Sequence, residues 1–103
     1  MAKSPLMQRP IRSRTGEVEA AEALAVEGLA FIAEDKARLG RFLELTGLTR
    51  EALVQVVGTQ GFLLAVLEHL AGDESLLLVF AASRDVEPQA VARAIALLGD
   101  GTP

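Results

Sequence analysis

The chain contains no cysteine, tryptophan or tyrosine, and His69 is its single histidine. Without cysteine there is neither a disulfide nor a thiolate metal site, and nothing points to an oxidising compartment. One histidine cannot supply the paired imidazoles of a helical zinc motif, so no metal and no cofactor are expected. Aromatic filling is confined to Phe31, Phe42, Phe62 and Phe80. The core must then be built from Leu, Val and Ala, a set that suits helices better than strands. Long apolar runs are missing too. The longest, Leu76 to Ala82, falls far short of the ~18–20 residues that cross a bilayer. The basic N-terminal residues are followed by no apolar stretch, which argues against a secretory leader. Gly58-Thr59-Gln60-Gly61 is too short for a phosphate-binding loop, has no lysine and follows no strand. A soluble cytoplasmic protein, without membrane contact or small-molecule ligand, is expected.

What is present is enough for one domain, since half of the 103 residues are apolar. The formal charge of −4 hides an asymmetry. Residues 1–16 carry Lys3, Arg9, Arg12 and Arg14 with two prolines and no acid, and read as a disordered basic tail. All 14 acidic residues lie beyond it, so the body repels phosphate backbones while the tail attracts them. The expected division is a tail over 1–16, a helical domain over 17–99 and a short disordered tail over 100–103.

From Glu17 onward the period is helical. Val18, Ala21, Leu24, Ala25, Gly28, Leu29 and Ile32 recur at three- and four-residue steps and line one face. Asp35 is placed to cap a second helix, and Gly47 followed by Leu48 marks a Schellman-type stop. Thr49 caps a short third helix ending at Gly58. A fourth helix runs from about Thr59 to Ala71. Asp73 caps a fifth, Glu74 to about Ser83, and Glu87-Pro88 opens a sixth that ends at Gly99. The expected fold is all-α, a bundle of five or six short helices.

Sliding the chain against itself by 38 residues brings Leu29 onto Leu67, Asp35 onto Asp73, Leu39 onto Leu77 and Phe42 onto Phe80. Leu48 meets Val86, Ala52 meets Ala90, Leu53 meets Val91 and Val57 meets Ile95. These are cap and core positions, the ones that two three-helix units related by internal duplication would share. Helices four and five, apolar nearly all round, would form the shared centre.

Three features invite a functional reading. The turn Thr46-Gly47-Leu48-Thr49, with Leu53 and Val56 beyond it, matches the apolar skeleton of a helix-turn-helix. Arg50, together with Arg9, Arg12 and Arg14 of the tail, would then be the nucleic-acid contacts. Against this, any tight glycine turn between helices shows the same skeleton, and Arg50 sits beside Glu51. His69 lies one turn before Asp73 and pairs with it in principle, but no nucleophile is placed to complete a catalytic set. The run Leu76–Ala82 needs covering on all sides, by the rest of the bundle or in part by a partner chain.

With its caps, glycines and core laid out this way, the chain resembles a family of short bacterial all-helical proteins known only as a domain of unknown function. The resemblance rests on residues 29–35 (LAFIAED), 39–48 (LGRFLELTGL) and 88–94 (PQAVARA), and covers about residues 20–99. It implies the helical fold and the bacterial cytoplasm, and it transfers no functional residue. The expected function is a non-catalytic interaction module docking a protein partner or a second copy of itself. The alternative is a weak nucleic-acid binder acting through the basic tail and the Gly47 turn.

Overall fold

Side-chain caps set the starts of four helices in this chain. A computed structural model describes the backbone of residues 4–99 and the side chains of residues 16–99. Among the described residues there are six helices and no strand: α1 (Ser4–Ala33), α2 (Lys36–Thr46), α3 (Arg50–Val56), α4 (Gln60–Ala71), α5 (Glu74–Arg84) and α6 (Pro88–Gly99). The Asp35 carboxylate accepts from the Ala37 and Arg38 amides, Thr49 Oγ1 from Ala52, Thr59 Oγ1 from Phe62 and the Asp73 carboxylate from Leu76. Each bond satisfies an amide that the first helical turn leaves without a partner.

Two boundaries differ from the sequence expectation. The first helix starts at Ser4 rather than Glu17. Pro5 falls in the first turn, where its missing N–H costs nothing, and a helix nucleated downstream extends backward at one hydrogen bond per residue. The side chains of residues 1–15 lie outside the described ones, as do residues 1–3 and 100–103 altogether, so the side chains of Arg9, Arg12 and Arg14 and the expected C-terminal tail are not placed. The second difference is the stop of α2. Gly47 is left-handed at φ 76° and donates to the Leu43 carbonyl, but the Leu48 amide turns to Thr46 Oγ1. This is the simpler αL stop. A Schellman-type 6→1 bond occurs instead at the stop of α5, where Asp85 is left-handed at φ 57° and the Val86 amide joins the Asp85 amide on the Ala81 carbonyl.

The 38-residue offset has a geometric counterpart. Asp35 and Asp73 both cap helices, Gly47 and Asp85 are both left-handed, and Phe42 and Phe80 are both fully buried. The rings of Phe31 and Phe80 meet edge to face at 5.4 Å, and those of His69 and Phe42 at 5.0 Å. The offset exchanges these two pairs, as an approximate two-fold relation between halves requires. α1 and α4 cross each other, α2 packs on α1, and α5 packs on α4.

The third helices break the relation. α6 packs across both α1 and α4, burying Val91, Ala94 and Leu98, whereas α3 buries no residue completely. The centre is therefore α1, α4 and α6, not α4 and α5 as the sequence suggested. α4 does bury Phe62, Leu63, Val66, Leu67 and Leu70. α5 buries only Phe80 and Ala81 and leaves Leu78 and Val79 about half exposed, because α6 occupies the remaining side of α4.

The α1–α4 crossing is set by Gly28. A Cβ there would stand 2.9 Å from Leu70 Cδ1 and 3.2 Å from Val66 Cγ1, and both neighbours are fully buried. Gly40, mid-helix in α2, has open space around it. Urea denaturation should separate the two. Gly28→Val is expected to lower stability by about 1–3 kcal/mol through overpacking. Gly40→Ala should raise it by about 1 kcal/mol through helix propensity alone. Equal responses at the two positions would mean that the close approach at Gly28 is not a constraint.

Candidate functional site

The α2–turn–α3 segment is built from the residues that the sequence singled out. Thr46 Oγ1 donates back to the Phe42 carbonyl at 2.8 Å, Gly47 reverses the backbone, Leu48 packs on the core and Thr49 restarts the helix. Leu53 and Val56 lie half-buried against the core, as the helix-turn-helix skeleton requires. The outward side departs from that motif. Arg50 and Glu51 are exposed, and on the same short helix and its end stand Val54 at 74% and Val57 at 40% exposure. A reading helix presents polar and cationic groups to the groove; this one presents apolar ones beside a single arginine.

α3 has seven residues, and the chain bends by 120° between it and α4. A helix of that length does not hold together alone, since roughly 12–15 residues are needed in water. Its attachment is the half-buried Leu53 and Val56, so α3 belongs to the least stable part of the fold. A signal for this was present in the sequence. Ala52, Leu53, Val54, Val56 and Val57 are apolar on more sides than one neighbouring helix can cover.

His69 lies at the end of α4, beside a cleft of about 470 Å³ lined by Arg41, Leu45, Glu68, Gly72, Asp73 and Glu74 as well. Its ring is held edge-on against Phe42. Partial burial holds its pKa below the ordinary 6.5, with Arg41 adding in the same direction and Asp73 opposing. The Asp73 carboxylate is engaged as a cap to the Leu76 amide. The cleft thus brings His69 and Asp73 together, as their spacing suggested, without a hydrogen bond between them. Its lining residues include no hydroxyl or thiol. No group of three or more metal-ligating side chains occurs among the described residues.

Two contacts lay beyond the sequence reading. Arg84, on α5, forms ion pairs with Glu27 at 2.9 Å and Glu34 at 2.8 Å, tying the end of α5 to α1 and to the residue that follows it. Arg38 stacks 4.0 Å over the Phe31 ring and donates to the Phe31 carbonyl, satisfying an acceptor at the end of α1. Neither partner choice follows from local spacing, because each joins different helices. A second, mostly apolar groove of about 510 Å³ runs between α1 and α6, lined by Ala20, Ala21, Leu24, Ala94 and Leu97 among others, with Glu17 and Arg93. No single helix among the described residues is long and apolar enough to cross a membrane.

Comparison with known families finds one profile, described as a protein of unknown function (DUF3572), matching residues 18–101. The chain belongs to that family. No curated protein and no solved structure matches it.

The geometry around His69 makes a pH-dependent expectation. Its folded pKa lies below the unfolded value of 6.5, so at mildly acidic pH the unfolded chain binds a proton that the folded chain does not. Stability is then full above pH 6.5 and falls as the pH drops below it. The Asp35 carboxylate, lowered from 3.8 by the Arg38 and Ala37 amides, loses its contribution only at more acidic pH. Thermal melts of the native protein should therefore shift downward as the pH is lowered from 6.5 toward the carboxylate range. Those of His69→Phe, which installs the ring found at the equivalent Phe31, should stay flat over that interval. Parallel profiles would remove His69 from the acid response.

Proposed function

We propose that this member of the DUF3572 family is a non-catalytic interaction module of the cytoplasm, which docks a protein through the α2–α3 segment. One observation carries the reading: α3 keeps no side chain fully buried and leaves Val54, and Val57 at its end, exposed. Single exposed apolar residues are common on any surface. Here two of them, Val54 and Val57, lie on or at the end of one short and weakly held element, while Val26 of α1 and Leu78 and Val79 of α5 are exposed as well. Covering Val54 and Val57 would remove apolar area from water at roughly 25 cal/mol per Å² and would order the least stable helix at the same time.

The nucleic-acid alternative is less well supported. Phosphate contacts need several cations on one surface. Arg50 is accompanied on α3 by Glu51 and by valines.

The test is capture from nuclease-treated lysate with the full chain and with Val54→Asp. A protein retained by the native chain and lost with the variant, at unchanged helical circular dichroism, is the expected result. Equal capture by both would place the contact elsewhere. Release by nuclease would favour nucleic acid.

A further inference from the structure

The approximate two-fold relation between the halves gives the His69 cleft a counterpart, and the counterpart is filled. Phe31 in one half corresponds to His69 in the other, each ring edge to face with a buried phenylalanine from the opposite half. Two guanidinium groups occupy the space around Phe31. Arg38 lies 4.0 Å over the ring and donates to the Phe31 carbonyl at 2.8 Å. Arg84 lies 5.8 Å from the same ring centre and pairs with Glu27 and Glu34. A ring, an open carbonyl at a helix end and carboxylates are together what holds a guanidinium there.

Around His69 both arginines are missing. The 38-residue offset carries Arg38 onto Leu76 and Arg84 onto Thr46. Leu76 has no side-chain donor, and the Thr46 hydroxyl is engaged with the Phe42 carbonyl. The His69 carbonyl accepts no hydrogen bond among the described residues, because the Gly72 amide turns to Glu68 and the Asp73 amide to Leu70. The cleft of about 470 Å³ lies here, and its lining residues Leu45, His69 and Gly72 correspond to Ser83, Phe31 and Glu34, the neighbours of Arg84. The chemistry that suits a guanidinium is kept. Glu68, Asp73 and Glu74 line the cleft against one cation, Arg41. Asp73 caps α5 through one carboxylate oxygen, which leaves the other free of that bond. A neutral imidazole adds a nitrogen acceptor that Phe31 does not have.

We propose that the His69 cleft binds a guanidinium group, carried by an arginine side chain of a partner protein or by a free guanidino compound. The group takes the place that Arg84 fills in the other half, donating to the His69 carbonyl and to the carboxylates at the start of α5. The site lies between α2, α4 and α5 and does not depend on the exposed valines of α3. Charge-assisted bonds to carboxylates hold the ligand, so salt weakens it.

The experiment is a heteronuclear NMR titration of the full chain in low salt with N-acetyl-arginine amide, with free arginine, and with N-acetyl-citrulline amide as the uncharged isostere. Saturable shifts at His69, Gly72 and Glu74 are expected with both arginine probes and not with citrulline. Glu68→Gln combined with Glu74→Gln, at two exposed positions, should raise Kd by about tenfold. Arg41→Ala should lower it. Thr46→Arg, which installs the counterpart of Arg84, should fill the cleft from within and abolish saturation. Tighter binding of the acetylated amide supports the site with a protein-borne arginine as its ligand, and tighter binding of free arginine supports it with a small molecule. No saturable shift at these residues overturns the proposal, as does an equal response to citrulline. A folded Thr46→Arg chain that binds like the native one overturns it too. Should Thr46→Arg fail to fold, unchanged binding by the Glu68→Gln, Glu74→Gln variant is the result that overturns it.

Discussion

The rest of the structure depends on how closely α1 and α4 approach at Gly28. A missing side chain there lets Val66 and Leu70 settle against the α1 backbone, and the two longest apolar faces of the chain then share one seam. Interiors packed to crystal-like density transmit such a constraint outward, because a shift at the crossing would move everything that rests on both helices. α6 is the element most exposed to this. It lies across α1 and α4 together, and its buried Val91, Ala94 and Leu98 need both walls at a fixed separation.

Around that seam the two halves repeat the same local solutions. An aspartate caps the second helix of each half, a left-handed residue ends it, and a phenylalanine from it reaches the ring of the other half's first helix. In one half that ring is Phe31, and in the other it is His69. A repeated position has thus come to hold a titratable group against an aromatic core, which is why His69 feels burial more than it feels Asp73. The symmetry stops at the third helix. α6 finds a long α1 to lie along, whereas α3 runs through a tight turn into α4 and finds no equivalent wall. The apolar residues left over on α3 are the residue of that broken symmetry, and the functional reading grows from them.

Much of this was legible in the chain itself. Asp35, Thr49 and Asp73 announce helix starts by side-chain chemistry that acts over three residues, so they needed no tertiary information. The inward stripe of α1, from Ala21 through Ala25 and Gly28 to Ile32, is buried as its period implied. The Schellman stop was assigned to Gly47 because glycine is its usual residue. Gly47 makes the simpler αL stop because the Thr46 hydroxyl takes the Leu48 amide, and only the folded geometry shows that competition.

Sequence alone determined the helical class, the number and punctuation of the helices, and the echo between halves, since caps and periodicity are local and survive without knowledge of the neighbours. Tertiary structure decided which helices are central. Apolarity says that a face wants covering and not what covers it, and α5 proved half exposed although its run from Leu76 to Ala82 is the longest apolar stretch in the chain. It also decided the ion pairs of Arg84 and the exposure of Val54, because both depend on distances between helices far apart in the chain. The candidate surface is of that second kind. It exists because α3 is left without the wall that α6 possesses: the window from Ala52 to Val57 shows more apolar surface than one neighbour covers, and packing decides which residues stay open.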